Sequence, residues 1–160
     1  MTFTKIIIAI DPGEFSELIL NQGLDLAQYN QGEIMLFHSI NSEGLEDMLL
    51  PLPSQGLYPE IAASIYDIKH TQIDKKVQDT ITLLQNYCEV ANARGINAKF
   101  DYKIGDAGPW LCQTAKDFGA DLIVMGRRGR TGFTEAMLGS ISNYVVHHAP
   151  CSVLVIQPLS

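Results

Sequence analysis

Short apolar runs along the chain alternate with longer stretches in which apolar residues recur at steps of three and four. The runs predict buried strands at residues 5–10, 34–37, 97–102, 122–125 and 153–156. Near-continuous apolar strands are typical of a parallel sheet that is covered on both faces. Because right-handed crossovers place helices on both sides of such a sheet, we expect an α/β fold with a doubly wound open sheet of five parallel strands.

The stretches with helical periodicity fall between these runs. They predict helices near residues 15–26, 77–91, 109–118 and 141–148. Arg94-Gly95 supplies a cation and a left-handed stop for the second helix, and Gly119 supplies a stop for the third. Pro109 suits the first position of a helix, because that position needs no backbone N–H. Each helix therefore links two strands, as β-α-β units require.

Residues 41–76 interrupt this pattern with Leu-Pro and Gln-Gly pairs, and a helix start is indicated near Pro59. Long excursions in compact domains often carry function, so one interpretation is a lid or a partner-docking insertion. The simpler interpretation is a crossover helix with a long, partly ordered lead-in. We treat residues 1–160 as a single domain with an irregular insertion at about 41–76.

Size and charge narrow the classes of function. The chain has 160 residues, of which 46% are hydrophobic, and a chain of this size can bury roughly two thirds of its unfolded surface. The formal net charge of −7 disfavours a nucleic-acid partner, because sequence-independent binding to phosphates needs a basic surface. No apolar run approaches the roughly 20 residues of a membrane helix, so we expect a cytoplasmic protein without a membrane partner.

The sequence gives no indication of a catalytic or metal-binding set. Cys88, Cys112 and Cys151 are odd in number and include no C-x-x-C pair, so they predict buried thiols. His38 ends a predicted strand, where it could act as a general base or simply pack, and packing is the commoner outcome. No Ser-His-Asp or Cys-His set can be assembled. We therefore assign no catalytic residues and no metal ligands.

The most informative segment follows the fourth predicted strand. Gly126 and Gly129 carry no Cβ, so backbone N–H groups can turn toward an anion and a ligand can approach the main chain. Gly139 and Ser140 then open a helix whose N–H groups and dipole favour negative charge. Ser140 and Ser142 add hydroxyl donors at the same helix start. Glycine turn, helix start and hydroxyls together predict a phosphate cradle.

This segment is neither a Walker A loop nor a G-x-G-x-x-G turn. It resembles the nucleotide signature of the universal stress protein family, G-x2-G-x9-G-[ST], at Gly126, Gly129, Gly139 and Ser140. Residues 5–11, 37–40, 120–126 and 148–156 resemble the strands of that family, and only residues 41–76 lie outside the resemblance. One departure is Arg127-Arg128, where many members carry Ser-His. The added charge, with Arg130 nearby, should favour phosphate but could change which nucleotide fits.

The resemblance implies a Rossmann-like fold of the adenine nucleotide alpha hydrolase type, with strand order 3-2-1-4-5. It implies a homodimer that pairs strand 152–156 across a two-fold axis, and an ATP- or AMP-binding stress-response regulator with an unidentified protein partner. A Mg²⁺ ion, if bound, would be held by the phosphates. The runner-up functions are a slow ATPase or phosphotransferase, a receptor for a cyclic or monophosphate nucleotide, and a scaffold that binds no nucleotide.

The resemblance also implies the residues that contact the nucleotide. Asp11 matches a nucleoside contact, and main chain at Ala9 and Ser39 matches the adenine pocket. The ribose and phosphate positions are matched by Met125, Gly126, Arg128 and Gly129, and the phosphate-tail positions by Gly139, Ser140, Ile141 and Ser142. Two simpler interpretations stay open: Asp11 could cap the first helix, and the hydroxyl of Ser142 could bond back into its own helix.

Overall fold

Strands and helices alternate along residues 2–41, 59–127 and 138–157, the part of the chain that a computed structural model describes. In chain order the elements are β1 (Lys5–Ala9), α1 (Ser16–Asn30), β2 (Glu33–Ile40), α2 (Pro59–Ala93), β3 (Ala98–Ile104), α3 (Ala107–Phe118), β4 (Leu122–Gly126), α4 (Ser140–His148) and β5 (Ser152–Ile156). None of the helices in these ranges is both long enough and apolar enough to span a bilayer.

The five strands form one parallel sheet in the order β3-β2-β1-β4-β5. This confirms the predicted fold class, strand count and strand order. In the central strand, Ile7 is aligned with Met35 of β2 on one side and with Ile123 of β4 on the other. The chain winds outward from β1 toward β3 and then returns to add β4 and β5 on the opposite side. The winding therefore reverses between β1 and β4, where sheets of this kind bind ligands.

Two apolar layers cover the sheet, because side chains alternate between its faces. Ile6 and Ile8 of β1 pack with α1 and α2, whereas Ile7 packs with α3 and α4. The approach of α1 to β1 is close at Gly23, where any Cβ would overlap the side chain of Ile8. The sheet is thus held between two helix pairs.

The helix ends agree with the predicted stops, with two differences. Gly95 and Gly119 have positive φ angles of 77° and 69°, as expected for residues that end helices. Gln31 ends α1 in the same left-handed conformation at φ 54°, which its side chain gave no reason to expect. The third helix begins at Ala107, two residues earlier than predicted, so Pro109 lies within its first turn, where no intrahelical N–H bond is lost.

The predicted irregular stretch at 41–76 is narrower in the structure. Residues 59–76 are the first turns of α2, which starts at the predicted Pro59, whereas residues 42–58 lie outside the described part of the chain. The packed part of α2 begins at Thr80 and continues through Leu84 to Ala91. Before it, large side chains are exposed, with 59% of the surface of Tyr66 accessible to solvent. The crossover-helix interpretation therefore holds for the second half of the stretch.

The cysteines follow the prediction only in part. Cys88 is buried in the layer between α2 and the sheet, whereas Cys112 and Cys151 are half-buried on the other face. Burial raises the pKa of all three thiols. For Cys151 the Asp121 carboxylate raises the pKa further, because a nearby negative charge opposes thiolate formation.

Candidate functional site

The carboxyl ends of β1 and β4 lie next to each other at the point where the winding reverses. Ile8 is aligned with Val124, so the segments that follow the two strands leave the sheet side by side. Asp11, two residues beyond β1, is half-buried at this edge, and Gly126 is the last residue of β4. The fold thus brings together two polar segments that are more than a hundred residues apart in the sequence, as predicted.

Asp11 does not cap α1. The helix begins at Ser16, and its N-cap residue is Phe15, which makes no side-chain capping bond. The turn before the helix is held instead by Ser16, whose hydroxyl donates to the carbonyl of Gly13 at 2.8 Å. The capping interpretation of Asp11 is therefore wrong. Its nucleoside contact stays a prediction.

The ends of β1 and β2 are tied together by main-chain and side-chain hydrogen bonds. The N–H of Ile10 donates to the carbonyl of Phe37 at 2.8 Å, and Nδ1 of His38 lies 2.7 Å from the carbonyl oxygen of Ile10. Because a carbonyl only accepts, Nδ1 carries the proton in this contact. This bond ties the ring of His38 at the end of β2 to the end of β1.

Ser39 and Gly105 link the end of β2 to the end of β3. The hydroxyl of Ser39 donates to the carbonyl of Gly105 at 2.9 Å, and the N–H of Gly105 donates to the carbonyl of Ile40 at 3.0 Å. Gly105 has φ 132°, a conformation that residues with a side chain rarely adopt. Sequence reasoning missed Gly105, because the predicted strand ended at residue 102, whereas β3 continues to Ile104 and Gly105 directly follows it. With Ser39 oriented in this way, its main chain lines the same edge as Ala9.

The N-terminus of α4 faces this edge without a side-chain cap. Gly139 is the N-cap residue, and its carbonyl accepts the first helical bond, from the N–H of Asn143 at 2.9 Å. The N–H groups of Ser140, Ile141 and Ser142 have no carbonyl four residues back inside the helix. No acidic side chain lies in the first turn, and no side chain among the described residues caps the helix start. Uncapped N–H groups and the helix dipole together favour an anion here.

Ser142 lies at this helix start, but its hydroxyl is directed elsewhere. The side chain is only 2% exposed, and Oγ lies 2.8 Å from the carbonyl oxygen of Arg127 and 3.0 Å from that of Gly139. A hydroxyl has one proton, and here that proton is shared between main-chain carbonyls. The expectation that Ser142 adds a hydroxyl donor for phosphate therefore differs from the structure, in which the bond back into the helix is formed.

Of the remaining predicted site residues, some lie at the carboxyl edge of the sheet and others lie in residues 128–137, outside the described part of the chain. Met125 is buried among the side chains of α3 and α4, so only its main chain is available to a ligand. Arg127 directs a guanidinium nitrogen toward Oε1 of Gln157, at 3.5 Å. Arg128 and Gly129, together with Arg130, lie outside the described residues. Across residues 2–41, 59–127 and 138–157, no three His, Cys, Asp or Glu side chains form a cluster that could hold a metal ion.

Comparisons with known proteins agree on one family. The model described as "Universal stress protein family" matches residues 2–157. Universal stress protein Sll1388 of Synechocystis sp. is 32% identical over 157 residues, which cover 98% of this chain and 99% of that protein. Among solved structures, hypothetical protein MJ0577 superposes with a TM-score of 0.80 at 21% identity and covers 100% of this chain and 99% of its own.

Two further solved structures contain adenine nucleotides. A universal stress protein in complex with cAMP has a TM-score of 0.62 at 16% identity, and the match covers 98% of both chains. The universal stress protein of Archaeoglobus fulgidus in complex with dAMP has a TM-score of 0.58 at 18% identity, covering 98% of this chain and 99% of that one. At these identities the superpositions show a shared fold.

Proposed function

Because the chain belongs to the universal stress protein family, we propose that it binds an adenine nucleotide, ATP or AMP, and acts as a nucleotide-dependent regulator in stress response. The observation that carries the proposal is the N-terminus of α4, which no described side chain caps, at the edge of the sheet where β1 and β4 end. The glycine signature that resembles the family's nucleotide motif runs between these elements. Relatives of the same fold that bind cAMP and dAMP support adenine as the base.

The nucleoside half of the proposed site is formed by β1 and β2. Main-chain groups at Ala9 and Ser39 pair with the edge of the adenine ring, which needs no special side chain. The carboxylate of Asp11 accepts hydrogen bonds from the ribose hydroxyls. The bond from His38 ties the end of β2 to the end of β1, and the bond from Ser39 ties it to Gly105 after β3. Both bonds support a nucleoside half that is ordered before the ligand binds.

The phosphate half of the proposed site is formed by β4 and α4. The N–H groups of Ser140 and Ile141 point along the helix axis toward the phosphates, where the dipole also favours negative charge. Gly126 and Gly139 let the main chain come close, and the hydroxyl of Ser140 adds a donor. Met125 contributes main chain only. Arg128 and Gly129 complete this half in the sequence motif, and a Mg²⁺ ion is held by the phosphates themselves.

We further propose that the nucleotide is a signal and that hydrolysis is slow or absent. Phosphoryl transfer needs an oriented water and charge neutralisation that increases in the transition state. Positive groups that stabilise the phosphates of bound ATP as strongly as those of the transition state improve binding without improving turnover. The runner-up is a slow ATPase or phosphotransferase. Turnover near 1 per second or faster in a steady-state assay with magnesium, abolished by Ser140→Ala, would make the enzyme the better description.

The proposed assembly is a homodimer through β5. In the described structure β5 pairs with β4 on one side only, and Leu154 is 38% exposed. The carbonyl of Ile156 is directed to β4, where it accepts from Arg127 N–H, so the main-chain groups of the alternating residue Val155 point to the open edge. Apolar edge strands rarely stay unpaired. A second copy paired in an antiparallel manner would close the edge across a two-fold axis.

Native mass spectrometry of the purified protein tests both proposals at once. We expect the mass of a dimer together with the mass of a co-purified or added adenine nucleotide. Val155→Pro removes an outward donor and should shift the mass toward the monomer. ATP, AMP, cAMP and GTP added in turn identify the ligand, and retention of GTP as readily as ATP would contradict adenine recognition. A monomer at high concentration would contradict the dimer.

A further inference from the structure

The main chain of Arg127 is the point where three elements meet. Its N–H donates to the carbonyl of Ile156 in β5 at 2.9 Å. Its carbonyl accepts two hydrogen bonds from α4, one from the N–H of Gly139 at 3.1 Å and one from Oγ of Ser142 at 2.8 Å. We call Arg127, Gly139 and Ser142 the Arg127 junction. Through it, the end of β4 is bound directly to the start of α4.

The Arg127 junction fixes a geometry that the proposed site depends on. Arg127 and Gly139 stand at the two ends of the interval 128–138, and holding the ends of a long interval together has an entropic cost. Two hydrogen bonds to one carbonyl offset that cost and also set the angle of the helix. The N–H groups of Ser140 and Ile141 belong to the helical turn that these bonds orient.

A serine fits the position of Ser142 for a definite reason. It occupies the first turn of α4, three residues after Gly139, where a hydroxyl can bond back to the N-cap carbonyl. The same oxygen reaches the carbonyl of Arg127, so one short side chain connects the helix to itself and to β4. The side chain is 2% exposed, so water cannot readily replace this donor.

We propose that Ser142 is a positioning residue of the nucleotide site: it orients the N-terminal turn of α4 against β4 and does not contact the nucleotide itself. This inference rests on the proposed function. It assigns Ser142 a role different from the phosphate contact that the sequence motif implied. A positioning role also predicts different effects on the binding of two ligands. Loss of the Ser142 hydroxyl should weaken binding of a ligand with phosphates and leave binding of adenosine unchanged.

Three variants test the assignment. Ser142→Ala removes the hydroxyl, and Ser142→Thr retains it, because threonine in a helix can adopt the rotamer that bonds back to the carbonyl three or four residues earlier. Ser64→Ala is the matched control, since the hydroxyl of Ser64 donates to the carbonyl of Glu60 on the distant α2 at 2.9 Å. Thermal unfolding and circular dichroism establish first that each variant is folded.

Two readouts are needed for each variant. Hydrogen exchange by NMR in the nucleotide-free protein reports the N–H of Gly139, which shares its acceptor with Ser142. Calorimetry gives the dissociation constants of ATP and of adenosine. In Ser142→Ala we expect faster exchange at Gly139 and an ATP dissociation constant raised about tenfold. The adenosine constant should stay within about twofold of wild type, the size of a typical surface change. Ser142→Thr and Ser64→Ala should behave as wild type.

Other results would contradict either the positioning role of Ser142 or the proposed function. Weaker ATP binding with unchanged exchange at Gly139 would mean that Ser142 contacts the phosphates directly. Equal losses of affinity for ATP and adenosine would mean a general structural defect. Weak ATP binding by Ser142→Thr would mean that the hydroxyl is not what orients the helix. If the wild-type protein binds neither ligand, the proposed function fails, while exchange at Gly139 still shows whether Ser142 holds the Arg127 junction.

Discussion

At the amino edge of the sheet, polar side chains bind other parts of the chain, whereas at the carboxyl edge no side chain in the described part of the chain caps the start of α4. At the amino edge, Oδ2 of Asp121 accepts from the N–H groups of Thr4 and Lys5 at 2.9 and 3.1 Å and from the hydroxyl of Thr4 at 3.2 Å. Arg94, at the same edge, donates to Asp25 and to Asn21. Both edges contain side chains that are bonded within the chain, and the carboxyl edge also contains the start of α4, which no described side chain caps.

This difference separates stability from binding. Groups that are bonded within the chain stabilise the fold and offer little to a ligand. N–H groups at a helix start that have no partner in the helix contribute little to stability and are available to an anion. Substitutions at the amino edge should therefore change the free energy of unfolding, and substitutions at the carboxyl edge should change affinity.

The largest effect is expected for Asp121→Ala. It leaves the N–H groups of Thr4 and Lys5 without their acceptor, and we expect the free energy of unfolding to fall by about 2 kcal/mol, because hydrogen bonds to a charged group are the stronger kind. The ATP dissociation constant should not change. Urea unfolding and calorimetry measure the two quantities. Asp117→Ala, which removes a carboxylate that accepts from exposed Gln113, is the control, and it should lower the free energy of unfolding by less than about 0.5 kcal/mol. A loss of ATP affinity in Asp121→Ala would contradict the expectation that the amino edge affects stability and not binding.

Ser140→Ala should show the reverse pattern at the carboxyl edge. Ser140 is exposed, so its removal should leave the unfolding curve unchanged. Loss of one hydrogen bond to phosphate should weaken ATP binding by about 1 kcal/mol, or roughly fivefold. Calorimetry with ATP and adenosine distinguishes a phosphate contact from a general effect. A fall in stability without a change in ATP affinity would assign Ser140 to the fold.

The smallest effect is expected for the reactivity of Cys151, which lies at the amino edge just before β5. Burial and the charge of Asp121 both raise the pKa of this thiol, so the reactive thiolate is scarce at neutral pH and increases only as pH rises. Iodoacetamide should therefore alkylate Cys151 more slowly than free cysteine at pH 7, with the gap narrowing at higher pH. Asp121→Ala should speed the reaction a few-fold. Mass spectrometry of the peptides measures the rate, and an unchanged rate in Asp121→Ala would contradict the stated cause.

Much of the fold could be predicted because each predicted run became a strand of the sheet. Burial was predicted less well: β1, β2 and β4 contain fully buried residues, whereas β3 and β5, at the edges of the sheet, are only half-buried. The helical residues 59–76 were harder to recognise. In this half of α2 the apolar residues Ile61 and Ile68 are exposed and do not continue the stripe of Leu84, Cys88 and Ala91 that meets the sheet. A sequence pattern reports which residues a core will bury, and a helix that projects past the core leaves a weaker pattern.

The site was predictable in position but not in the direction of its bonds. The spacing from Gly126 to Ser140 indicated a strand end and a helix start, and the structure has both. The sequence could not show that the carbonyl of Arg127 lies within reach of Ser142, because that contact depends on how β4 and α4 pack together. The same limit applied to Asp11, whose distance from α1 depends on where the helix begins.

Titration of ATP into wild type and Gly129→Val by isothermal calorimetry tests whether the glycine motif binds the nucleotide phosphates. A side chain at this motif glycine should occupy space needed by the phosphates, while the fold, checked by thermal unfolding, should persist. We expect saturable binding of ATP by wild type and a dissociation constant at least about tenfold higher in Gly129→Val, a loss of about 1.4 kcal/mol or more in binding free energy. Equal affinity in the two proteins, or no binding by wild type, would contradict it.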